Sequence, residues 1–263
     1  MTPKPVSDLT VDVVIPVLNE AHVLARSVGT VRAFLRQNLA CRWRVVVVDN
    51  GSSDGTDRVA AQLAADHSEV GFSRLDLRGR GRALRHAWTH SAADIVGYMD
   101  VDLSTELAAV PRAVQALAEE GYDIAIGSRL MRESRTQRKW KRDVISRIYN
   151  LLVKAALSTR FSDAQCGFKF VTREVIQRVV PQIEDQSWFF DTEMLVLAEK
   201  QGYRIKDLPV MWIEDDDSRV KIIRTAWDDI KGVARLRRLL WSGRFEEARR
   251  AHGKSAPSPS AQR

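Results

Sequence analysis

Two aspartates, Asp100 and Asp102, stand one residue apart in the segment YMDVDLST at Tyr98–Thr105, directly after the apolar run IVGYM at Ile95–Met99. In extended chain, residues i and i+2 point to the same side. Two carboxylates would then emerge together where a strand ends. Such a pair suits a hard divalent cation, Mg2+ or Mn2+, and through it a diphosphate. The plainer alternative is a solvated turn, with Ser104 or Thr105 capping a helix that begins near Leu107. A D-x-D segment by itself does not choose between them.

Its neighbours in the sequence do more. A first apolar run, Val11–Pro16, leads into IPVLNE (Ile15–Glu20), and a second, Arg44–Asp49, leads into DNGSSDGT (Asp49–Thr56). Parallel strands align their C-terminal ends along one edge, where open α/β sheets bind ligands. Asn19, Glu20, Asp49, Asp54, Asp100 and Asp102 are therefore expected in one crevice, a grouping that packing alone does not explain. Carboxylates at Glu20 and Asp49 can accept hydrogen bonds from a base or ribose. Arg78–Arg85 (RGRGRALR) adds two glycines that let backbone approach a ligand and arginines suited to phosphate, with a simple basic turn as the alternative. It is not a Walker A loop, because the G-K-[ST] ending is missing.

These segments need elements to hold them. Strands are expected at Val11–Pro16, Arg44–Asp49, Val70–Leu77, Ile95–Met99 and Ile124–Gly127. Helices are expected at Glu20–Gln37, Asp57–His67, Gly81–Ser91 and Leu107–Glu120. The alternation implies an α/β fold with a mainly parallel sheet. Further on, Lys141–Leu157, Asp191–Gln201 and the basic amphipathic Ile222–Trp241 read as helices, and Gly167–Val171 and Ile205–Trp212 as strands. No internal repeat is present.

At 263 residues, 44% hydrophobic and 29% charged, the chain is an ordinary globular one with ample length for a core. No apolar run is long enough for a transmembrane helix and no signal sequence is visible. Two distant cysteines, Cys41 and Cys166, exclude a disulfide scaffold and a structural zinc site and point to a reducing compartment. The net charge of +7 is uneven: residues 129–160 carry ten Lys/Arg against two acids, and 219–250 carry ten against four. These stretches are either solvated helix faces or surfaces for nucleic acid, anionic membrane or substrate phosphate. Nucleic acid is not expected, because no stacking platform or known motif accompanies the charge.

The ordered set IPVLNE, VVDNGSSDGT, GRGRA, MDVDLST, GSR at Gly127–Arg129 and DAQCGFK at Asp163–Lys169 resembles family 2 glycosyltransferases of the GT-A fold over roughly residues 10–245. Within them it is most similar to the polyprenyl- (dolichyl-) phosphate hexosyltransferases. QCGFK and FFDTEML (Phe189–Leu195) look more like the glucose-transferring branch than the mannose-transferring one.

The resemblance implies inverting transfer of a hexose from a nucleotide sugar to a polyprenyl phosphate, with UDP-glucose favoured as donor and GDP-mannose next. It implies Mg2+ or Mn2+ at Asp100, Asp102 and Gln165. Pro16, Asn19, Glu20, Asp49, Asp54, Arg80 and Asp100 would bind the donor, and Arg129 and Arg142 the acceptor phosphate. Arg219 and Lys221 would lie on a loop closing over the phosphates. The catalytic set would be Asp102, Arg129, Arg142 and Asp163, the last as a base or a structural residue. Arg80 departs from the family's usual lysine, and Asn50 from a common second acid. The expected organisation is a GT-A domain over residues 1–218, divided into a nucleotide half (10–127) and an acceptor half (128–218). A basic helical segment (219–250) and a disordered tail (251–263) follow. Such a protein would work peripherally at the cytoplasmic face of a membrane, on an anionic surface or through a membrane-protein partner. Two alternatives remain at this stage: a glycosyltransferase with a non-lipid acceptor, and a non-catalytic basic binding protein.

Overall fold

A computed structural model describes residues 5–137, 140–213 and 222–242, without the side chains of residues 141 and 222–226. Arg219, Lys221 and the tail 251–263 lie outside the described residues. The expected strands and helices form β1 (Thr10–Val17), α1 (Ala21–Asn38), β2 (Arg42–Asp49), α2 (Thr56–Asp66), β3 (Val70–Arg74), α3 (Arg80–His90), β4 (Ile95–Met99), α4 (Ala109–Ala118) and β5 (Ile124–Ser128). After them come β6 (Arg135–Gln137), α5 (Trp140–Leu157), β7 (Phe168–Thr172), α6 (Arg173–Arg178), α7 (Phe190–Lys200), β8 (Ile205–Pro209), β9 (Met211–Ile213) and α8 (Ile222–Trp241).

Seven strands form one sheet in the order β3-β2-β1-β4-β7-β5-β8. β7 runs antiparallel to both of its neighbours, and the other pairings are parallel. β1 is β-branched along most of its length and β2 through Val45–Val48, as suits strands covered on both faces. Pro16 pairs with Val48 of β2 and lies past Val14, the last β1 residue paired with β4, where a missing N–H costs least. One core layer packs α1 and α4 against the sheet, through Leu24, Val28, Val31, Val110 and Val114. The other packs α3, α5, α7 and α8 on the opposite face, through Leu84, Val153, Leu195 and Leu236. This is an α/β/α sandwich.

Three differences from the sequence reading have local causes. The expected strand Ile205–Trp212 divides between sheets: β8 joins β5, while β9 pairs with β6 and Trp212 bridges to Thr105. Neither Ser104 nor Thr105 caps α4. That helix starts at Ala109 with Ala108 in the capping position, because Thr105 is committed to the bridge. The Asp100–Asp102 segment is a turn rather than extended chain, closed by a hydrogen bond from the Leu103 amide to the Asp100 carbonyl. The i, i+2 argument for the aspartate pair therefore fails. What holds them at the strand end is a turn with Leu103 in the left-handed region, at φ 54°.

Candidate active site

The loops after β1 and β2 lock onto one another at the C-terminal edge of the sheet. Asn19 sits at φ 58°, a conformation that Asn tolerates better than most residues. Its amide donates to Ser52 Oγ at 2.8 Å, and the Ser53 amide donates to Asn19 Oδ1 at 2.9 Å. The Glu20 amide donates to Thr56 Oγ1 at 2.8 Å, and the Ala21 amide to Asp54 Oδ2 at 3.1 Å. Asp54 also accepts from the Thr56 amide and hydroxyl. Burial pushes the Asp54 carboxyl up, but the hydrogen bonds from Thr56 and Ala21 prevail and hold it below its ordinary value. Asp54 thus ties the first turns of α1 and α2 together.

Asp49 is fully buried, accepts from the Ser52 amide at 3.1 Å and lies 3.8 Å from Arg74 Nε. In this structure its carboxylate shapes the turn rather than lining open space. Asn50 holds the next loop, its Oδ1 accepting from the Gly79 amide at 2.9 Å. Gly79 has φ 152°, and a Cβ there would strike the Gln186 carbonyl. This glycine serves close packing against the segment before α7, not the approach to a ligand read from the sequence.

Asp100 is the centre of the site. Arg80, the first residue of α3, donates from Nη2 to Asp100 Oδ1 at 2.6 Å. The Arg80 guanidinium is stacked between Tyr98 (5.1 Å) and Trp188 (5.0 Å). Burial opposes the charge on Arg80, but Asp100 and its neighbours prevail and raise its pKa. Gly167 forms the far wall, where a Cβ would fall on the Asp100 carboxylate. Asp102 is exposed and accepts from the Ser104 amide at 3.0 Å.

The opposite bank is built differently. Asp163 is fully buried and receives Arg129 Nε at 2.7 Å, an Arg129 Nη at 2.9 Å, the Arg129 amide and the Gln165 amide. Burial pushes Asp163 up, yet Arg129 prevails and lowers it. In this structure the Asp163 carboxylate is engaged in holding Arg129 and the Gln165 backbone. Arg129, stacked on Trp212, is largely committed to that pair rather than presented to an acceptor. Gln165, expected on a metal, donates from Nε2 to Asp229 of α8 at 2.8 Å. Burial pushes the Asp229 carboxyl up to about 7, against that hydrogen bond. Arg142 lies half-buried in the first turn of α5.

Beneath the site runs a polar chain that the sequence reading missed. Tyr98 Oη donates to Asp191 Oδ2 at 2.7 Å, and Lys169 Nζ donates to the Cys166 carbonyl at 2.7 Å and lies 3.5 Å from Asp191. Burial first, and then Asp191, push Tyr98 well above its ordinary pKa. Burial also pushes the Cys166 thiol up to about 11, which removes it as a nucleophile. A partial signal existed: Lys169 in the apolar strand FKFVT is a charge that burial forces to find a partner, here Asp191 in the buried first turn of α7.

Among the described residues no group of three or more His, Cys, Asp or Glu could hold a metal. The available donors are the carboxylates of Asp100 and Asp102. They are hard oxygens at the open edge, and Arg80 engages one oxygen of Asp100, leaving the other and those of Asp102. That donor set would fit Mg2+ or Mn2+, with phosphate and water completing the shell.

Residues 12–180 match the family described as Glycosyl transferase family 2. The chain belongs to this family. It is a glycosyltransferase, with the mainly parallel, helix-flanked sheet of the GT-A fold. Glycosyltransferase AglD of Haloferax volcanii is 36% identical over 234 residues, covering 88% of this chain but only 37% of that relative, so the chain spans well under half of it. Dolichyl-phosphate beta-glucosyltransferase of Saccharomyces cerevisiae is 26% identical, over 85% of this chain and 72% of that one. Among solved structures, glucosyl-3-phosphoglycerate synthase from Mycobacterium tuberculosis, in complex with Mn2+, UDP-glucose and phosphoglyceric acid, superposes with a TM-score of 0.67. It covers 87% of this chain and 79% of that one at 17% identity, a likeness of fold. Among the described residues no helix of this family 2 enzyme is long and apolar enough to cross a membrane.

Proposed function

We propose that this family 2 glycosyltransferase moves glucose from UDP-glucose to a polyprenyl or dolichyl phosphate with inversion, with GDP-mannose as the second donor choice. The observation that carries the reading is the Arg80–Asp100 pair, set at the sheet edge beside Asp102 and the interlocked loops after β1 and β2. The dolichyl-phosphate relative supports the acceptor class, and the UDP-glucose complex of the structural neighbour supports the donor class.

In this reading Pro16, Asn19, Glu20 and the Asp49–Thr56 turn shape the nucleotide pocket, with Asp49 and Asp54 acting through the turn. Asp100 and Asp102 would hold Mg2+ or Mn2+, which supplies positive charge for the leaving diphosphate. Arg80 holds the Asp100 carboxylate in place and adds a fixed cation. An acceptor phosphate oxygen attacks the anomeric carbon from the face opposite the diphosphate. The bond to the diphosphate breaks, and the nucleoside diphosphate leaves with the electron pair. A phosphate oxyanion is already a nucleophile, so no base is required, and catalysis is alignment plus charge stabilisation. Arg142, Arg219 and Lys221 are the proposed phosphate cations of the acceptor and closing loops. Arg129 and Asp163 position the loop that carries Gln165. The enzyme would act at the cytoplasmic face of a membrane.

The test is transfer of radiolabel from UDP-glucose and from GDP-mannose to a short polyprenyl phosphate with Mg2+ or Mn2+. Organic-extractable label from one donor, lost in Asp102→Ala, is the expected result. Metal-dependent hydrolysis without lipid product would move the acceptor to another class. No turnover and no nucleotide binding would overturn the reading.

A further inference from the structure

α5 is amphipathic in an inverted sense. Its inward face carries Ser146, Asn150, Val153 and Leu157, all buried. The polar pair is used: Asn150 accepts from the Ala164 amide at 2.9 Å, and Ser146 Oγ lies 3.5 Å from an Arg129 Nη. Its outward face carries Val144, Ile145, Ile148, Leu151 and Leu152, with Ile148 at 60% and Leu151 at 68% exposure. On a helix, residues 144, 148, 151 and 152 form one stripe. α8, which packs against α5, shows a similar pattern. Val233 and Leu236 face the core, whereas Trp227, Ile230 and Trp241 are exposed. Lys231 lies over the Trp227 ring and Arg237 over that of Trp241.

A contiguous exposed apolar stripe marks a contact with something apolar. The charge around it selects what. α5 holds four basic residues and one acid, and α8 five and two. A second copy of the chain would bring two such cationic faces together, which like charge opposes. Nucleic acid would not cover the valine, isoleucine and leucine side chains. A bilayer with anionic headgroups satisfies both terms. The apolar side chains enter the headgroup boundary, tryptophans sit at that level, and Lys/Arg meet lipid phosphates.

We infer that the outer faces of α5 and α8 dock this enzyme onto an anionic lipid bilayer, with α5 lying between the lipid and the Arg129–Asp163 bank of the site. The inference deepens the proposed acceptor reading, and its meaning for turnover rests on that reading, but its physical test does not.

The test is co-sedimentation of the full chain with vesicles of phosphatidylcholine alone and of phosphatidylcholine with phosphatidylglycerol at roughly 7:3. The wild type is expected to sediment with the anionic vesicles, less so at high salt, and weakly with the neutral ones. Ile148→Glu/Leu151→Glu is expected to lower that partition at least about tenfold, since burial of even one such side chain is lost. Circular dichroism and transfer to a short, water-soluble acceptor phosphate should stay at wild-type level, because neither side chain belongs to the site. Three results would overturn the inference: no preference for anionic vesicles, vesicle binding unchanged in the double variant, or a dimer in solution that the double variant dissociates. Failure of glycosyl transfer with vesicle binding intact would count against the acceptor reading and leave the docking surface standing.

Discussion

On the bank formed by the loops after β1 and β2, the donor bank of the proposed function, Asn19, Ser52, Asp54 and Thr56 hold one another through short hydrogen bonds between neighbouring loops. On the opposite bank Arg129–Asp163, and beneath the site Lys169–Asp191, are ion pairs closed off from water. The donor bank is built from turn chemistry, where each bond is modest and replaceable. The other is built from charges that must be matched, where loss of one partner strands the other. One crevice therefore has one wall tolerant of substitution and one that is not.

The sharpest attack on this contrast is Asp163→Ala. It leaves the buried Arg129 guanidinium unpaired and should destabilise by about 3–5 kcal/mol. Thermal unfolding should shift by roughly 10 °C. Replacing both partners by apolar residues, Arg129→Met with Asp163→Leu, should recover most of that loss. A cost for the single variant no larger than a surface change would erase the difference between the banks.

Asp102→Ala belongs to neither wall. It should reduce transfer by about 10²–10³-fold, the scale of a lost charge-stabilising group, with little change in melting because the side chain is exposed. A variant that melted early would place Asp102 in the framework instead.

Thr56→Val removes a buried hydroxyl that accepts from the Glu20 amide and donates to Asp54, at about 2 kcal/mol. Chemical denaturation would measure it, and a cost matching that of Asp163→Ala would mean the donor bank is as brittle as its opposite.

The smallest effect is expected at Glu69, held down to about 2 first by the Arg32 hydrogen bond, with Arg36 also contributing. Its folded pKa lies below the ordinary 4.5, so the cluster's stabilisation is present above pH 4.5 and is lost as pH falls towards 2. The pair is near the surface, so Glu69→Gln should flatten that acid limb by no more than about 1 kcal/mol. Melting curves between pH 2 and about 6 would read it.

The contrast also explains what could be read in advance. β1, β2, β4 and β5 declare themselves by β-branched or continuous apolar runs, and the donor bank by turn residues written consecutively in NGSSDGT. β6 did not, because a three-residue strand such as RTQ carries no period and depends on its pairing with β9. The turn at Asp100–Leu103 depends on a left-handed leucine, which no local preference predicts. Lys169 and Asp191 are 22 residues apart, and Gln165 and Asp229 64, so their partnerships are products of the fold. Trp188, which closes the stack over Arg80, stands directly before FFDTEML and outside it.

The place of β7 has a consequence for how the molecule is made. β5 does not pair with β4, the strand before it in the sheet's parallel run; both pair with β7, as in Ile95↔Thr172 and Ile124↔Val171. During synthesis, β3, β2, β1 and β4 have all their mutual partners once Met99 has emerged. One flank of β4 then stays open until residues 168–172 arrive. A ribosome stalled, or a chain cleaved, before Phe168 would present that bare edge, with a fully buried sequence on it, to any other strand nearby. Antiparallel insertion at the centre of the sheet thus makes the last-arriving central strand the one that seals it.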